Sequence, residues 1–280
     1  MSYITADDGV RLYFETRGAG PQIVIPNGII YLDDFAALAA DHTLIAYEPR
    51  NRGRSDATGD GDIGRDVEDV EAVRRHFDIG QMNLIGHSYV GLLVALYGMR
   101  HPGNVRRIVQ IGPMEPVAGK QYPPELSNHD GLTGQIFGKL GQLYQTRTTE
   151  SDEEMCRKAW EILRPLYVTD PADAARINWG GCEFPNERGF MMYFTGRIMP
   201  SIRQLNLAEE ASGLAAPVLT IHGTKDRNAP YGAGRDWVSM LPNARLLTIE
   251  GGAHAPWIEA PDRVIGAMRT FFAGEWPEGL

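Results

Sequence analysis

The chain has 280 residues, 43% hydrophobic and 22% charged, and a formal charge of −9. That length allows one large α/β domain or two small ones with a sizeable core, and the composition is that of an ordinary soluble globular protein. An acidic chain without a long basic run argues against nucleic acid as a partner.

The two cysteines, Cys156 and Cys182, are too few for a disulfide framework and lack metal-site spacing. They read as thiols that serve as small apolar residues in a reducing cytosol. MSYITADDGV has no basic segment leading into an apolar stretch, and the run around Leu92 to Leu96 is too short to span a bilayer. The reading is a cytoplasmic protein that does not engage the membrane.

In chain order, Arg11 to Thr16 (RLYFET) alternates polar and apolar like a half-buried strand. QIVIP (22–26) and TLIAY (43–47) are short apolar runs bounded by turn residues, and both read as strands. Ile63, Val67, Val70, Val73 and Phe77 recur at helical spacing. Met82 to Ile85 then predicts a strand, Tyr89 to Arg100 a helix and Val105 to Ile111 a strand. This alternation implies a mostly parallel, twisted sheet with helices on both faces.

The rhythm stops after Gly112. Residues 113–216 carry no clear strand pattern, but aromatic-rich helical stretches at Gln135 to Tyr144, Asp152 to Leu166, Ala172 to Trp179 and Glu187 to Met199. It resumes with PVLTIH (217–222), a helix over Tyr231 to Met240, RLLTI (245–249) and a closing helix over Trp257 to Phe272. The expected organisation is a core of residues 1–112 and 217–280, interrupted by a helical cap of residues 113–216.

LIGHSYVG (84–91) places Ser88 between a strand and a helix. A sharp turn there lifts a serine hydroxyl above the sheet edge, provided small residues two places either side let strand and helix approach. Gly86 meets the first need. Val90 occupies the second position, with Gly91 one place later.

Such a serine needs a base, and the base an orienting acid, on loops after later strands. Asp226 follows PVLTIH in GTKDR, and His254 follows RLLTI in EGGAHAPW. Both fall beyond strand carboxyl ends, the edge where open parallel sheets bind ligands. Of the other histidines, His42, His76, His101 and His129 lack that context. His222 reads as a core residue, and His87 as pointing away from Ser88. The oxyanion donors should be the backbone N–H groups of Tyr89 and of Ile29, in the Asn27-Gly28-Ile29-Ile30 loop, where Gly28 lets the backbone come close. Each residue has a plainer reading alone: Ser88 as a helix N-cap, Asp226 as a turn residue, His254 as a loop histidine. Their agreement in order and strand context favours the chemical one.

NGII (27–30), EPRNRGRSD (48–56), GHSYVG (86–91), HGTKDRNAP (222–230) and GGAHAPW (251–257) together resemble the α/β-hydrolase superfamily, especially its capped serine esterases and proline iminopeptidase-like hydrolases, over nearly the whole chain. The departures are Asn27 where His is usual before the glycine of the oxyanion loop, and Val90. Serine rather than aspartate at position 88 disfavours epoxide hydrolysis and dehalogenation. The resemblance implies that acidic cap residues such as Glu183 and Glu187 bind a substrate amine; the plainer reading pairs them with Arg188 and Arg197 or leaves them solvated. Arg50, Arg52 and Asp56 read as ties within a loop beside the site.

The sequence therefore predicts a carboxylic ester hydrolase acting through Ser88, His254 and Asp226 on a small-molecule ester. Ile30, Trp179, Glu183 and Glu187 are candidate substrate contacts. No metal or organic cofactor is called for, and a homodimer is left open. An aminopeptidase or amidase with the same triad is the alternative enzyme, and a non-catalytic small-molecule binder the alternative of another class.

Overall fold

A computed structural model describes residues 2–127, 131–145, 150–177, 179 and 181–280. Eight strands form one sheet: β1 (Tyr3–Thr5), β2 (Arg11–Arg17), β3 (Gln22–Pro26), β4 (Thr43–Tyr47), β5 (Met82–His87), β6 (Val105–Ile111), β7 (Val218–Gly223) and β8 (Ala244–Ile249). Their order is β1-β2-β4-β3-β5-β6-β7-β8. The pairs β1–β2 and β2–β4 are antiparallel and all others parallel. The chain steps outward from β3 to β4, then crosses back to place β5 on the other side of β3. The crevice between β3 and β5 is therefore the topological switch point, where ligands bind in such sheets.

The central strands are buried along most of their length because helices cover both faces. Among them, α1 (Ile63–His76) buries Ile63, Val67, Val70 and Val73, and its N-cap Asp62 accepts a hydrogen bond from the Arg65 amide. Helix α2 (Tyr89–Arg100) is buried all along except at Arg100 and packs against α1, β5 and β6. After the sheet resumes come α9 (Tyr231–Met240), α10 (Pro256–Glu259) and α11 (Pro261–Ala273). The single closing helix predicted over 257–272 is thus two. Ala260 (φ −134°, ψ 60°) is not helical because Pro261 disfavours helical backbone before it, and Pro261 opens the second helix.

Strands β6 and β7 are parallel neighbours, yet more than a hundred residues separate them in sequence. The segment between holds α3 (Pro124–Ser127), α4 (Gly131–Gln145), α5 (Asp152–Leu163), α6 (Glu187–Tyr193), α7 (Met199–Ile202) and α8 (Leu207–Glu210), with no strand among its described residues. A capping box of Ser151 and Glu154 starts α5. The helix predicted over 172–179 is only a short turn at Asp173–Arg176, and the one over 187–199 is broken by a wider turn at Phe194–Ile198.

The cysteines depart from expectation. Cys156 of α5 is bonded to Cys182, with Cα atoms 5.5 Å apart across a separation of 26 residues. A disulfide persists where conditions are oxidising, so the cysteines no longer argue for a reducing compartment. No described helix is long and apolar enough to cross a membrane.

Candidate active site

Loops after five parallel strands converge at one sheet edge. They carry Asn27 to Ile30 after β3, Ser88 after β5, Gly112 after β6, Asp226 after β7 and His254 after β8. Ser88 has φ 59° and ψ −127°, a conformation that costs a non-glycine residue free energy. Its surroundings hold it there. Its amide donates to Ile111 O at 3.0 Å, and its carbonyl accepts from Gly91 N at 2.9 Å and Met114 N at 3.1 Å. Ser88 is nonetheless only partly buried.

The glycine positions resolve the departure at Val90. A Cβ at Gly86 would sit 2.4 Å from Val90 O, so glycine is required there. The second tight approach falls at Gly91, where a Cβ would come within 3.0 Å of Pro113. Val90 itself is 2% exposed and packs in the core.

His254 and Asp226 are brought together. His254 Nδ1 lies 2.7 Å from Asp226 Oδ2, and both residues are buried. With Nδ1–H donating to the carboxylate, the lone pair of the imidazole is left on Nε2. Asp226 Oδ1 accepts from the amides of Asn228 (2.8 Å) and Ala229 (2.9 Å). Burial pushes the Asp226 carboxyl up, but the charge and hydrogen bond of His254 and the hydrogen bond from His222 outweigh it and hold the group well below the usual carboxylate range. Among the described residues, no hydrogen bond joins the Ser88 hydroxyl to His254. In this kind of site such a contact is often long until substrate engages.

Two other histidines support this pair. His222 Nε2 lies 3.2 Å from Asp226 Oδ2 and 3.1 Å from Ala229 O, so it is the donor nitrogen. His222 is thus a buried core residue, as its strand-end position predicts, and also a second donor to the same carboxylate. His87 does more than point away. Its ring centroid lies 4.4 Å from that of His254, and its Nε2 is 2.9 Å from His254 O. Because a carbonyl only accepts, Nε2 carries the hydrogen, and Nδ1 accepts from Tyr31 Oη at 3.0 Å. Burial and the neighbouring His254 push the His87 pKa well down, which keeps it neutral in this role. His129 lies outside the described residues.

Gly112 has the most direct bearing of the residues that sequence reasoning overlooked. Its φ is 47°, and a Cβ there would lie 3.0 Å from both Asp226 Oδ2 and His254 Nδ1. A glycine directly after a strand in this topology was the available signal. The two amides expected to hold an oxyanion both lie at the start of a helical turn. Tyr89 opens α2, and Ile29 opens a short turn at Ile29–Tyr31, so neither amide has an acceptor within its own first turn.

The four candidate substrate contacts have different fates. Trp179 is buried in an aromatic cluster, 5.0 Å from Tyr31 and 4.8 Å from Tyr167, whose ring is 5.2 Å from His254. Ile30 is half-buried and packs against the same apolar cluster. Glu183 is exposed at a cavity of about 140 Å³ formed with Trp160, Arg164 and the outer side of Trp179. Glu187 is nearly buried and pairs with Arg52 at 3.2 Å, and no pair with Arg197 occurs among the described residues. Arg197 donates to Gly59 O, and the Arg188 side chain lies outside the described residues. The loop ties expected around Arg50 and Asp56 are present, as Arg50–Asp69 (2.5 Å) and Arg11–Asp56 (2.8 Å).

A family model described as alpha/beta hydrolase fold matches residues 28–261, and the chain belongs to that family. It is 27% identical to a bifunctional esterase/perhydrolase of Acinetobacter calcoaceticus over 274 residues, covering 93% of this chain and 95% of that one. It is 22% identical to a proline iminopeptidase of Heyndrickxia coagulans, covering 92% of each. An esterase structure from Exiguobacterium antarcticum superposes with a TM-score of 0.77 at 17% identity, over 98% of this chain and 99% of that one.

Proposed function

We propose that the protein is a serine hydrolase of carboxylic esters. The observation that carries this reading is the 2.7 Å contact of the buried His254–Asp226 pair at the sheet edge that also bears the strained Ser88 turn. Ser88 Oγ attacks the ester carbonyl while His254 Nε2 takes its proton. Asp226 fixes the imidazole's tautomer and stabilises its positive charge. The amides of Tyr89 and Ile29 hold the oxyanion, each contributing about 3 kcal/mol to transition-state stabilisation. His254 then returns the proton to the leaving alcohol, and water releases the acyl group by the same steps in reverse. No metal or organic cofactor enters this scheme.

Residues 113–216 act as a cap over a core of 1–112 and 217–280. The cap places Trp179 and Tyr167 above His254, excludes water and sets substrate size. Amine recognition by Glu187, which an aminopeptidase reading needs, is disfavoured because it would draw the counter-ion away from the buried Arg52 and put none in its place.

The test is labelling with a fluorophosphonate, together with hydrolysis of short p-nitrophenyl esters. Covalent modification at Ser88 and turnover are expected. A folded protein that neither labels nor turns over would instead support a non-catalytic binder.

A further inference from the structure

The proposed chemistry leaves one buried charge beside the site without a task. The side chain of Arg52 is 7% exposed. Its Nη1 donates to Asn27 Oδ1 at 2.5 Å, which ties the guanidinium to the loop bearing the Ile29 amide. Its plane lies 4.5 Å from the Phe190 ring, and Phe190 in turn neighbours Tyr89. Tyr89 directly follows Ser88, and the rings of Tyr31 and Tyr167 lie 5.3 Å from His87 and 5.2 Å from His254; burial pushes all three phenols up, and the nearby Arg52 charge opposes that rise. Arg52 is therefore tied to the loop of Ile29 and is one ring removed from Tyr89, the residue after Ser88.

Its counter-ion is Glu187, the first residue of α6, and the pair is loose. Arg52 Nε to Oε1 is 3.2 Å and Nη2 to Oε2 is 3.5 Å. Two residues earlier in the same loop, Arg50 holds Asp69 at 2.8 and 2.5 Å. The tight pair joins two parts of the sheet-bearing core. The loose one joins that core to the inserted segment.

We propose that Arg52 is a specificity residue for a carboxylate carried by the substrate, and that Glu187 holds the same edge of the guanidinium in that carboxylate's place. The preferred substrate class is an ester that also bears a free carboxylate. This rests on the ester-hydrolase reading above. A guanidinium presents two parallel N–H groups that match one carboxylate, and a substrate carboxylate can take over both. The exchange conserves charge at Arg52. Glu187 is released toward water, since its neighbours Glu183 and Pro185 are exposed. A neutral ester cannot make this exchange, because it would leave a buried cation without a counter-ion.

The experiment compares kcat/KM for monomethyl glutarate with that for dimethyl glutarate, and for 4-acetoxybutanoate with that for its methyl ester. The two pairs put the carboxylate on the acyl and on the alcohol side. In at least one pair the acid form is expected to be favoured by about tenfold or more, the size of a charge-assisted hydrogen bond. Arg52→Gln should collapse that ratio, and Glu187→Gln should raise it by removing the competitor. Arg52→Lys, which keeps the charge but not the fork, should fall between and also serves if the Gln variant fails to fold.

Calorimetric binding of monomethyl and dimethyl glutarate, and of the acetoxy pair, to Ser88→Ala protein reads the same preference without turnover. Equal binding and equal kcat/KM within both pairs, or a preference that survives Arg52→Gln, would overturn the proposal. If neutral esters are turned over and Ser88 labels, such a result leaves the esterase reading standing. If labelling and turnover are both absent, that reading fails, and the binding arm alone decides the role of Arg52.

Discussion

The strand-end loops and the inserted helical segment reach the same site by different means. In the core, position is set by backbone. Ser88 is pinned by main-chain hydrogen bonds to the end of β6 and to Met114, and Gly86, Gly91 and Gly112 leave room that any side chain would fill. In the insertion, position is set by side chains reaching across: Trp179 to Asp34, Tyr193 to Asp66, Glu187 to Arg52, and a disulfide within the segment. The first kind of support tolerates almost no change and admits little motion. The second can be exchanged contact by contact. It follows that the chemistry should depend on the core, and the choice of substrate on the insertion.

The sharpest way to break this contrast is Ser88→Ala. Ester hydrolysis should fall by about 10⁴-fold or more while the thermal melt is retained. Retained turnover in pure protein would remove the core from the chemistry altogether. Gly112→Ala comes next. Its methyl would press on the Asp226–His254 contact, and a misplacement of about 1 Å costs on the order of 10²-fold in kcat. A kcat within twofold of the parent's would show that the edge is softer than the glycine pattern implies.

Cutting the insertion's own staple should do the reverse. Closing a loop of this length is worth about 3.5 kcal/mol by chain entropy, so Cys156→Ser should lower the urea midpoint accordingly while Ser88 still labels. Loss of labelling in the folded variant would make the insertion part of the chemistry.

The smallest effect concerns Tyr193 and Asp66. Burial, then the nearby Asp69, push the Asp66 carboxyl up to about 8 from its ordinary 3.8. The folded state therefore holds a proton that the unfolded state has lost. Stability from this group is complete below pH 3.8 and is lost as pH rises toward about 8. Between about pH 6 and 7 its share of the decline is at most about 1.4 kcal/mol, and Asp66→Asn should remove it in paired urea titrations. An unchanged slope would mean that Asp66 is ionised in the fold.

The core was legible because its signals are local. Apolar runs such as QIVIP and TLIAY became β3 and β4 without adjustment, and the order serine, acid, histidine fell on three strand ends. What was hidden depends on partners distant in sequence. The pairing of Cys156 with Cys182 requires knowing that the 182 loop returns to α5. Arg52 lies within a run of charges whose neighbours are structural ties, and nothing in its spacing distinguishes a residue that turns toward Asn27 and Glu187. Periodicity overran the helices of the insertion because Pro165, the turn at Phe194–Ile198 and the short turn at Asp173–Arg176 interrupt patterns that remain apolar through the break.

One carboxylate oxygen, Asp34 Oδ2, accepts the indole N–H of Trp179 and that of Trp257, each at 3.0 Å. Trp257 follows His254, the proposed base, by three residues and packs on His87, whereas Trp179 belongs to the inserted segment. A single acceptor thus ties the inserted segment and the His254 loop to the same point. On the proposed reading, any movement of the insertion that parts Trp179 from Asp34 leaves Trp257 as the sole indole on that oxygen, three residues from the proposed base.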